Sequence, residues 1–458
     1  MPSFAEVQNV RVGGDVTVRA FHRECLDLNC GDDDAATRGS VPAADTIRDS
    51  QGNFLMSTTG VNIGADLTEN VSAFLRLANE RDWNLDTAGA STSDIAISQS
   101  YITLKELFYS PLTVRIGRQP IVWGRGFVLG SALLPSVATR GNDLHASISA
   151  NEFTDFTAFD AIRGTLDLSN VGGVGIPLNL DVVYIKLNEN VPERPDDVNL
   201  LGFNLGTKFE AMNGEVETYY LNKRDRSTKT TTTSDNFGSV NTIGLRGSAQ
   251  PVEGSQIFSE LAYQFGKRGV DPDGLLIAGD AQQAWAFNLG GEFGFNDVTM
   301  SPKLGAEWIF FSGKNINGAA SGWDPIARGY YTTALREFQT ATNTGFYNTA
   351  QAGDTSAATN QHQFSFYGSL KPIEDLTIAP RLSFFFLNHG ALPVGPDGVK
   401  SNKRKSYAGA EWDTQVLYNY TEDVQFGVLY ALFAPGNVYR RPSDSVAQEI
   451  VTTVGVKF

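Results

Sequence analysis

The sequence contains no run of 18 consecutive apolar residues, which excludes a transmembrane helix. It has two cysteines and four histidines in 458 residues. Cys25 and Cys30 form a lone C-x4-C pair, and His22, His145, His362 and His389 are scattered, so no metal or haem centre is expected. Basic residues are in deficit, 36 Lys and Arg against 51 Asp and Glu, for a net charge of −15. A nucleic-acid partner is thereby excluded, because phosphate binding needs a basic footprint. Apolar residues are also scarce, at 41% against the ~45–50% of globular domains. Glycine, at 46 residues, is enriched over the usual ~7%. Membrane residence survives these exclusions, since β-barrels span bilayers with alternating patterns.

What the chain does have is alternation of period two. Ile257, Leu261, Tyr263 and Phe265 share one face with Ser259, while Phe258, Glu260, Ala262 and Gln264 share the other. The pattern repeats from Trp285 to Phe295 and from Val298 to Phe310. Such runs extend over about 10–13 residues, whereas soluble strands average five or six. Short connectors at Thr68-Glu69-Asn70, Ala211-Met212-Asn213-Gly214, Asn296-Asp297, Ile373-Glu374-Asp375 and Thr421-Glu422-Asp423 carry turn-forming residues. They alternate with long polar segments at 23–53, 84–94, 130–157, 189–197, 225–238, 268–282, 313–361, 389–405 and 440–446. Short periplasmic turns and long extracellular loops are the construction of outer-membrane barrels.

The runs predict about 18 strands, starting near Val10, Phe54, Val71, Ile95, Leu112, Phe159, Leu178, Leu200, Glu215, Val240, Ile257, Trp285, Val298, Gln363, Leu376, Tyr407, Val424 and Gln448. Alternation slips in the fourth to seventh, where bulges are expected. The fold class is therefore all-β, a single transmembrane antiparallel barrel over residues 1–458. Residues 1–5, Met-Pro-Ser-Phe-Ala, read as a signal-peptide remnant. The last strand alternates Ile450, Thr452, Val454, Val456 and Phe458 against Val451, Thr453, Gly455 and Lys457. It resembles the terminal signal by which outer-membrane proteins engage their insertion machinery. Tyr219, Tyr220, Trp308, Tyr418, Tyr420, Tyr430 and Tyr439 read as interfacial aromatics.

Three short motifs carry a family resemblance. Gly117-Arg118-Gln119-Pro120, followed by Trp123-Gly124-Arg125-Gly126-Phe127, is similar to the G-R-Q segment of the alginate-export family of outer-membrane proteins. Phe159-Asp160-Ala161-Ile162-Arg163-Gly164 and Gly322-Trp323-Asp324-Pro325 resemble two further family elements. The resemblance implies an 18-stranded passive channel whose arginine-lined constriction selects an anionic uronic-acid polymer. One departure stands out. The exporter resembled has a long periplasmic loop that occludes its pore, whereas only Thr421-Glu422-Asp423 joins the sixteenth and seventeenth strands here. Gating would therefore fall to inward-folding extracellular segments, chiefly 130–157 and 313–361.

With apolar positions facing lipid, the expected pore-lining residues are Arg11, Arg19, Arg76, Arg115, Arg118, Arg163, Arg246, Arg381, Glu292 and Glu307. Arg76, Arg115, Arg118 and Arg163 lead this set. Each arginine reads first as half of a wall-bracing ion pair; an unpaired one at a narrow point gives anion preference. Cys25 and Cys30 are expected to form a loop-stiffening disulfide. Gly31-Asp32-Asp33-Asp34 and Asp271-Pro272-Asp273-Gly274 read as solvated acidic loops, with Ca2+ binding as the alternative. Expected partners are outer-membrane lipid and lipopolysaccharide, reached through surface acids and divalent ions, the insertion machinery through Phe458, and a small or polymeric solute; a monomer is favoured. The reading is a diffusion channel in a bacterial outer membrane, without catalysis and without a cofactor. Two alternatives are a barrel sleeve around a periplasmic cytochrome, which needs a wide lumen, and an outer-membrane hydrolase, which needs a His in a nucleophile setting.

Overall fold

The structure, a computed structural model, describes residues 9–26, 28, 52–83, 95–108, 110–132, 150–169, 176–189, 197–226, 238–267, 281–313, 322–338, 359–392, 401–440 and 444–458. Alternating side chains and tight turns build 18 strands. They are β1 (Asn9–Glu24), β2 (Gly52–Thr68), β3 (Val71–Asp82), β4 (Ala96–Leu104), β5 (Leu112–Gln119), β6 (Phe159–Asp167), β7 (Leu178–Asn188), β8 (Val198–Phe209) and β9 (Gly214–Asp225). The second half comprises β10 (Gly238–Ala249), β11 (Ser255–Lys267), β12 (Ala281–Gly294), β13 (Lys303–Phe311), β14 (Gln361–Ile373), β15 (Leu376–Ala391), β16 (Lys405–Asn419), β17 (Val424–Pro435) and β18 (Ala447–Lys457). Every strand pairs antiparallel with its sequence neighbours. Closure comes from β1 and β18, in register from Asp15 opposite Lys457 to Glu24 opposite Gln448. A closed sheet leaves no unpaired edge, the condition for crossing hydrocarbon.

Alternation places Ile257, Leu261 and Phe265 on the exposed outer face and buries Phe258, Glu260, Ala262 and Gln264 on the lumen side. Phe458 closes the seam, its amide bonding Gly14 O at 3.0 Å while Gly14 N returns a bond of 2.8 Å.

One local expectation is corrected and another is located. The thirteenth strand begins at Lys303 rather than Val298, because residues 295–302 form a turn with Met300 and Ser301 at φ 69° and 41°. Lys371 N secures that turn by bonding Met300 O at 2.7 Å. Bulges fall at the two ends of the β4–β7 stretch: register slips past Ser98 of β4 at β3–β4 and past Leu187 of β7 at β7–β8, whereas β4–β5, β5–β6 and β6–β7 pair without a break. Alternation fails there because the lumen face is also apolar. Val183, Ile185 and Leu187 are buried inside while Tyr184 is exposed outside.

The lumen is not uniformly solvated. Its extracellular half is packed by chain that leaves the wall and folds inward. Ile121, Trp123, Phe127, Leu129, Trp323 and Ile326 pack with lumen-facing Phe159, Leu200, Ala284 and Phe311 in one cluster. Leu335 joins a second cluster with Leu26, Leu28, Phe385 and Phe433, and Phe153 packs against a third around Phe21 and Met56. Small wall residues such as Ala262, Ala284 and Ala286 make room for these rings.

Candidate functional site: the inward segments and the lumen they leave

Pro120 has no amide hydrogen for a ladder, so the wall strand β5 stops at Gln119. Gly117 sits at φ 122°, and a Cβ there would come within 2.2 Å of Ser100 O. Gln119 secures the departure point, donating from Nε2 to the carbonyls of Arg115, Gly117 and Ala161 at 3.2, 3.3 and 3.0 Å. Gly117→Ala is expected to destabilise the barrel by about 1–3 kcal/mol, read as a lower temperature for loss of its folded gel mobility.

Beyond Gln119 the chain enters the lumen and meets residues 322–338. Leu129 and Ala327 form a parallel bridge. Gly130 N bonds Ala327 O at 2.7 Å and Gly329 N bonds Gly126 O at 2.9 Å. Backbone approach this close requires glycine: a Cβ on Gly329 would lie 2.5 Å from the Gly130 carbonyl carbon. The two segments thus form one strap, anchored to the wall by polar contacts. Lys223 holds Asp324 at 3.1 Å, and Gln264 both donates to Asp324 O at 2.7 Å and accepts from its N at 2.9 Å. At the other end Glu411 accepts Leu335 N and Arg336 N at 2.6 and 2.8 Å. Buried Arg328 and Glu337 pair within the strap. The three family-like motifs therefore meet in space, as the exit from the wall, its partner strand and the strap's anchor.

A second inward piece, residues 150–157, is clamped by the first strands. Arg76 donates to Asp15 at 2.7 Å, to Asp155 at 2.8 Å and to Asn62 at 2.9 Å. Glu80 accepts Thr154 Oγ1 at 2.9 Å and Asp155 N at 2.5 Å, and buried Arg23 bridges Glu449 at 2.9 Å and Glu152. Removing one partner from a buried set costs about 3–5 kcal/mol. Arg76→Ala should accordingly speed amide exchange at 152–157 on the order of a hundredfold, while exchange in β10–β12 stays unchanged.

The expected pore residues separate into three groups. Arg11 pairs with Asp66 at 3.2 Å near the periplasmic rim, Arg246 with Glu217 and Glu215 at 2.8 and 3.2 Å, and Lys303 with Glu292 at 2.8 Å. Glu307 is shared by Arg125 at 3.4 Å and Arg381 at 3.5 Å, with Tyr330 OH donating at 2.9 Å. Burial, reinforced by Glu307, raises the Tyr330 hydroxyl well above the ordinary tyrosine range, so it stays a donor. Arg125, outside the expected set, lies over the Phe258 ring at 3.7 Å and the Tyr330 ring at 4.4 Å. Its signal was present in Gly124-Arg125-Gly126, a charge between two glycines at φ 57° and 78°.

Arg118 forms a group of its own and is a correction. It pairs bidentately with Asp160 at 2.8 and 2.9 Å on the outer face, Asp160 lying between buried Phe159 and Ala161. Arg115 and Arg118 are three residues apart in one strand, so they cannot share a face. Tyr219 and Tyr439 also move from the expected interfacial belt to the interior, bonding Glu260 at 2.8 Å and Arg336 at 2.5 Å.

Arg19, Arg115 and Arg163 complete the lumen set. Arg19 lies over Phe153 at 4.7 Å and reaches Thr58 at 3.4 Å. Arg115 lies 4.5 Å over Tyr101, which stacks on Phe74 at 5.2 Å, and donates to Thr103 at 3.3 Å. Directly opposite in register is Arg163, paired with Asp181 at 2.5 Å. No hydrogen bond, ion pair or ring contact joins Tyr101, Thr103, Arg115, Arg163 or Asp181 to the inward segments among the described residues. That stretch of the β4–β7 wall is left facing the lumen.

Cys25 is disulfide-bonded. Its partner by count, Cys30, lies outside the described residues, as do residues 1–5, Asp32–Asp34 and 271–274.

Comparison with curated proteins finds none that matches this chain. Among solved structures, OccAB1 of Acinetobacter baumannii superposes with a TM-score of 0.57 at 11% identity, over 100% of this chain and 99% of that one. OccK5 (OpdH) of Pseudomonas aeruginosa gives 0.53 at 11% identity over 99% of both chains. A BenF-like porin from Pseudomonas fluorescens Pf-5 gives 0.51 at 10% identity, over 99% of this chain and 100% of that one. At these identities the likeness establishes a shared fold. The alginate export family matches residues 13–453, and the chain, an outer-membrane β-barrel of the porin type, belongs to that family.

Proposed function

We propose that the barrel is a passive channel for anionic solutes of the carboxylated-sugar type, passing beside the β4–β7 wall. The observation that carries this reading is Arg115 opposite Arg163 with one carboxylate for the two, Asp181 on the next strand, paired with Arg163 and not with Arg115. Like charges directly opposite on a sheet repel, and one acid neutralises one of them. The Tyr101 stack and Thr103 hold the remaining cation in place without cancelling it. A guanidinium offers a carboxylate two parallel hydrogen bonds. Elsewhere in the described lumen the arginines serve as braces, which supports a selective zone confined to one side. The occupied extracellular half argues against a sleeve, because a folded periplasmic partner needs an empty lumen.

Uptake into proteoliposomes tests the proposal. Glucuronate is expected to enter faster than glucose, a neutral sugar of nearly equal size. Equal rates, or faster glucose entry, would contradict it.

A further inference from the structure

The outer face carries a feature that solute passage does not use. At the extracellular ends of β5–β11 one row of side chains runs from strand to strand in direct register. Arg118 lies opposite Asp160, Asp160 opposite Lys186, and the row continues through Asn199 to Arg224 and through Ser239 to Lys267. Four cations thus share one register row with one acid. Each alternates with a lumen-facing neighbour: Lys223, beside Arg224, is buried on Asp324, and Gln264 lies buried beneath the end of β11. Arg118 is held by Asp160, and Lys186 by Asp197 at 2.6 Å and by Glu189. Arg224 and Lys267 are exposed, with no hydrogen bond, ion pair or ring contact among the described residues.

The aromatics beneath the row on the same strands identify its surroundings. Four residues nearer the periplasm on the same strands, Phe203, Tyr220 and Tyr263 form an aromatic band, Trp285 packing tilted against Tyr263 at 4.4 Å. Aromatic bands mark the boundary of the hydrocarbon. Four residues at ~3.3 Å along a strand tilted by ~40° correspond to about 10 Å of height, the depth of a headgroup layer. β9 and β11 are two strand spacings apart, so Arg224 and Lys267 leave the sheet ~10 Å from each other. We propose that this row binds the phosphorylated headgroup of an outer-leaflet glycolipid, one phosphate on Arg224 and one on Lys267, with Lys186 and Arg118 flanking. The site depends on cations; the surface acids and divalent ions expected from sequence have no part in it.

Native mass spectrometry of the detergent-solubilised full chain tests this with three probes: bis-phosphorylated lipid A, its dephosphorylated form and inorganic phosphate. Lipid A should bind, and the double variant Arg224→Ala with Lys267→Ala should bind it about tenfold more weakly or worse. The charge-preserving pair Arg224→Lys with Lys267→Arg should restore binding, which separates loss of charge from loss of fold. Equal binding by the alanine variant overturns the proposal. So does equal binding of the dephosphorylated glycolipid, or displacement of lipid A by inorganic phosphate at equal concentration, which would mark a free-phosphate site. Binding that disappears with EDTA and ignores both cations would assign the lipid to the acids instead.

Discussion

Replacing residues 322–338 with a short Gly-Ser linker is expected to raise single-channel conductance several-fold while leaving the 18-stranded wall folded. The strap owes its place to side-chain burial, Trp323, Ile326, Ala327 and Leu335 all being sequestered against the wall. The wall is held by its own ladders, which close from β18 to β1 without the strap. An 18-stranded barrel encloses an aqueous lumen once its interior packing is gone. Removal also unburies Lys223, which loses Asp324, and Glu411, which loses two backbone donors. Water can then solvate both, so the cost to the wall stays small. Planar-bilayer recording reads the result: unchanged conductance would mean that the strap lies outside the path.

Arg115→Ala is expected to cut the anion-to-cation permeability ratio about fivefold, the equivalent of roughly 1 kcal/mol for one charge in a solvated passage. The loss should shrink at high salt, because the Debye length falls from ~10 Å at 0.1 M to ~3 Å at 1 M. Arg115→Lys keeps the charge and should keep most of the selectivity. Arg163→Ala removes the same net charge by another route, since it leaves Asp181 without its partner two strands from Arg115. Two variants with the same loss, and no loss in Arg246→Ala, whose arginine sits between Glu215 and Glu217, would locate selectivity on this wall. Equal losses in all three would spread it around the lumen.

The barrel was legible because alternation and turn residues are local. Strand starts at Val71, Leu112, Phe159, Leu178, Leu376 and Val424 fall where the pattern places them. The thirteenth start was misplaced because positive φ at Met300 and Ser301 leaves no mark in residue type. Of the site, the arginines on lumen-facing parity were legible and Arg118 was legible as the exception, since it follows Arg115 by an odd number of residues. The inward fold after Gln119 had a signal in Pro120 and the glycines 124, 126 and 130. What the strap docks against had none. Glu411 reaches Leu335 across 76 residues and Arg125 reaches Tyr330 across 205, pairings that only closure of the barrel creates. The same closure explains why both faces of β7 are apolar, the very feature that blurred its alternation.

The proposed function requires a water-filled, anion-preferring passage through a strapped barrel. The reversal potential of the unmodified protein in a planar bilayer under a potassium chloride gradient tests it most directly. Discrete current steps with a reversal potential on the chloride side are predicted. A silent bilayer, or a reversal potential on the potassium side, would contradict it.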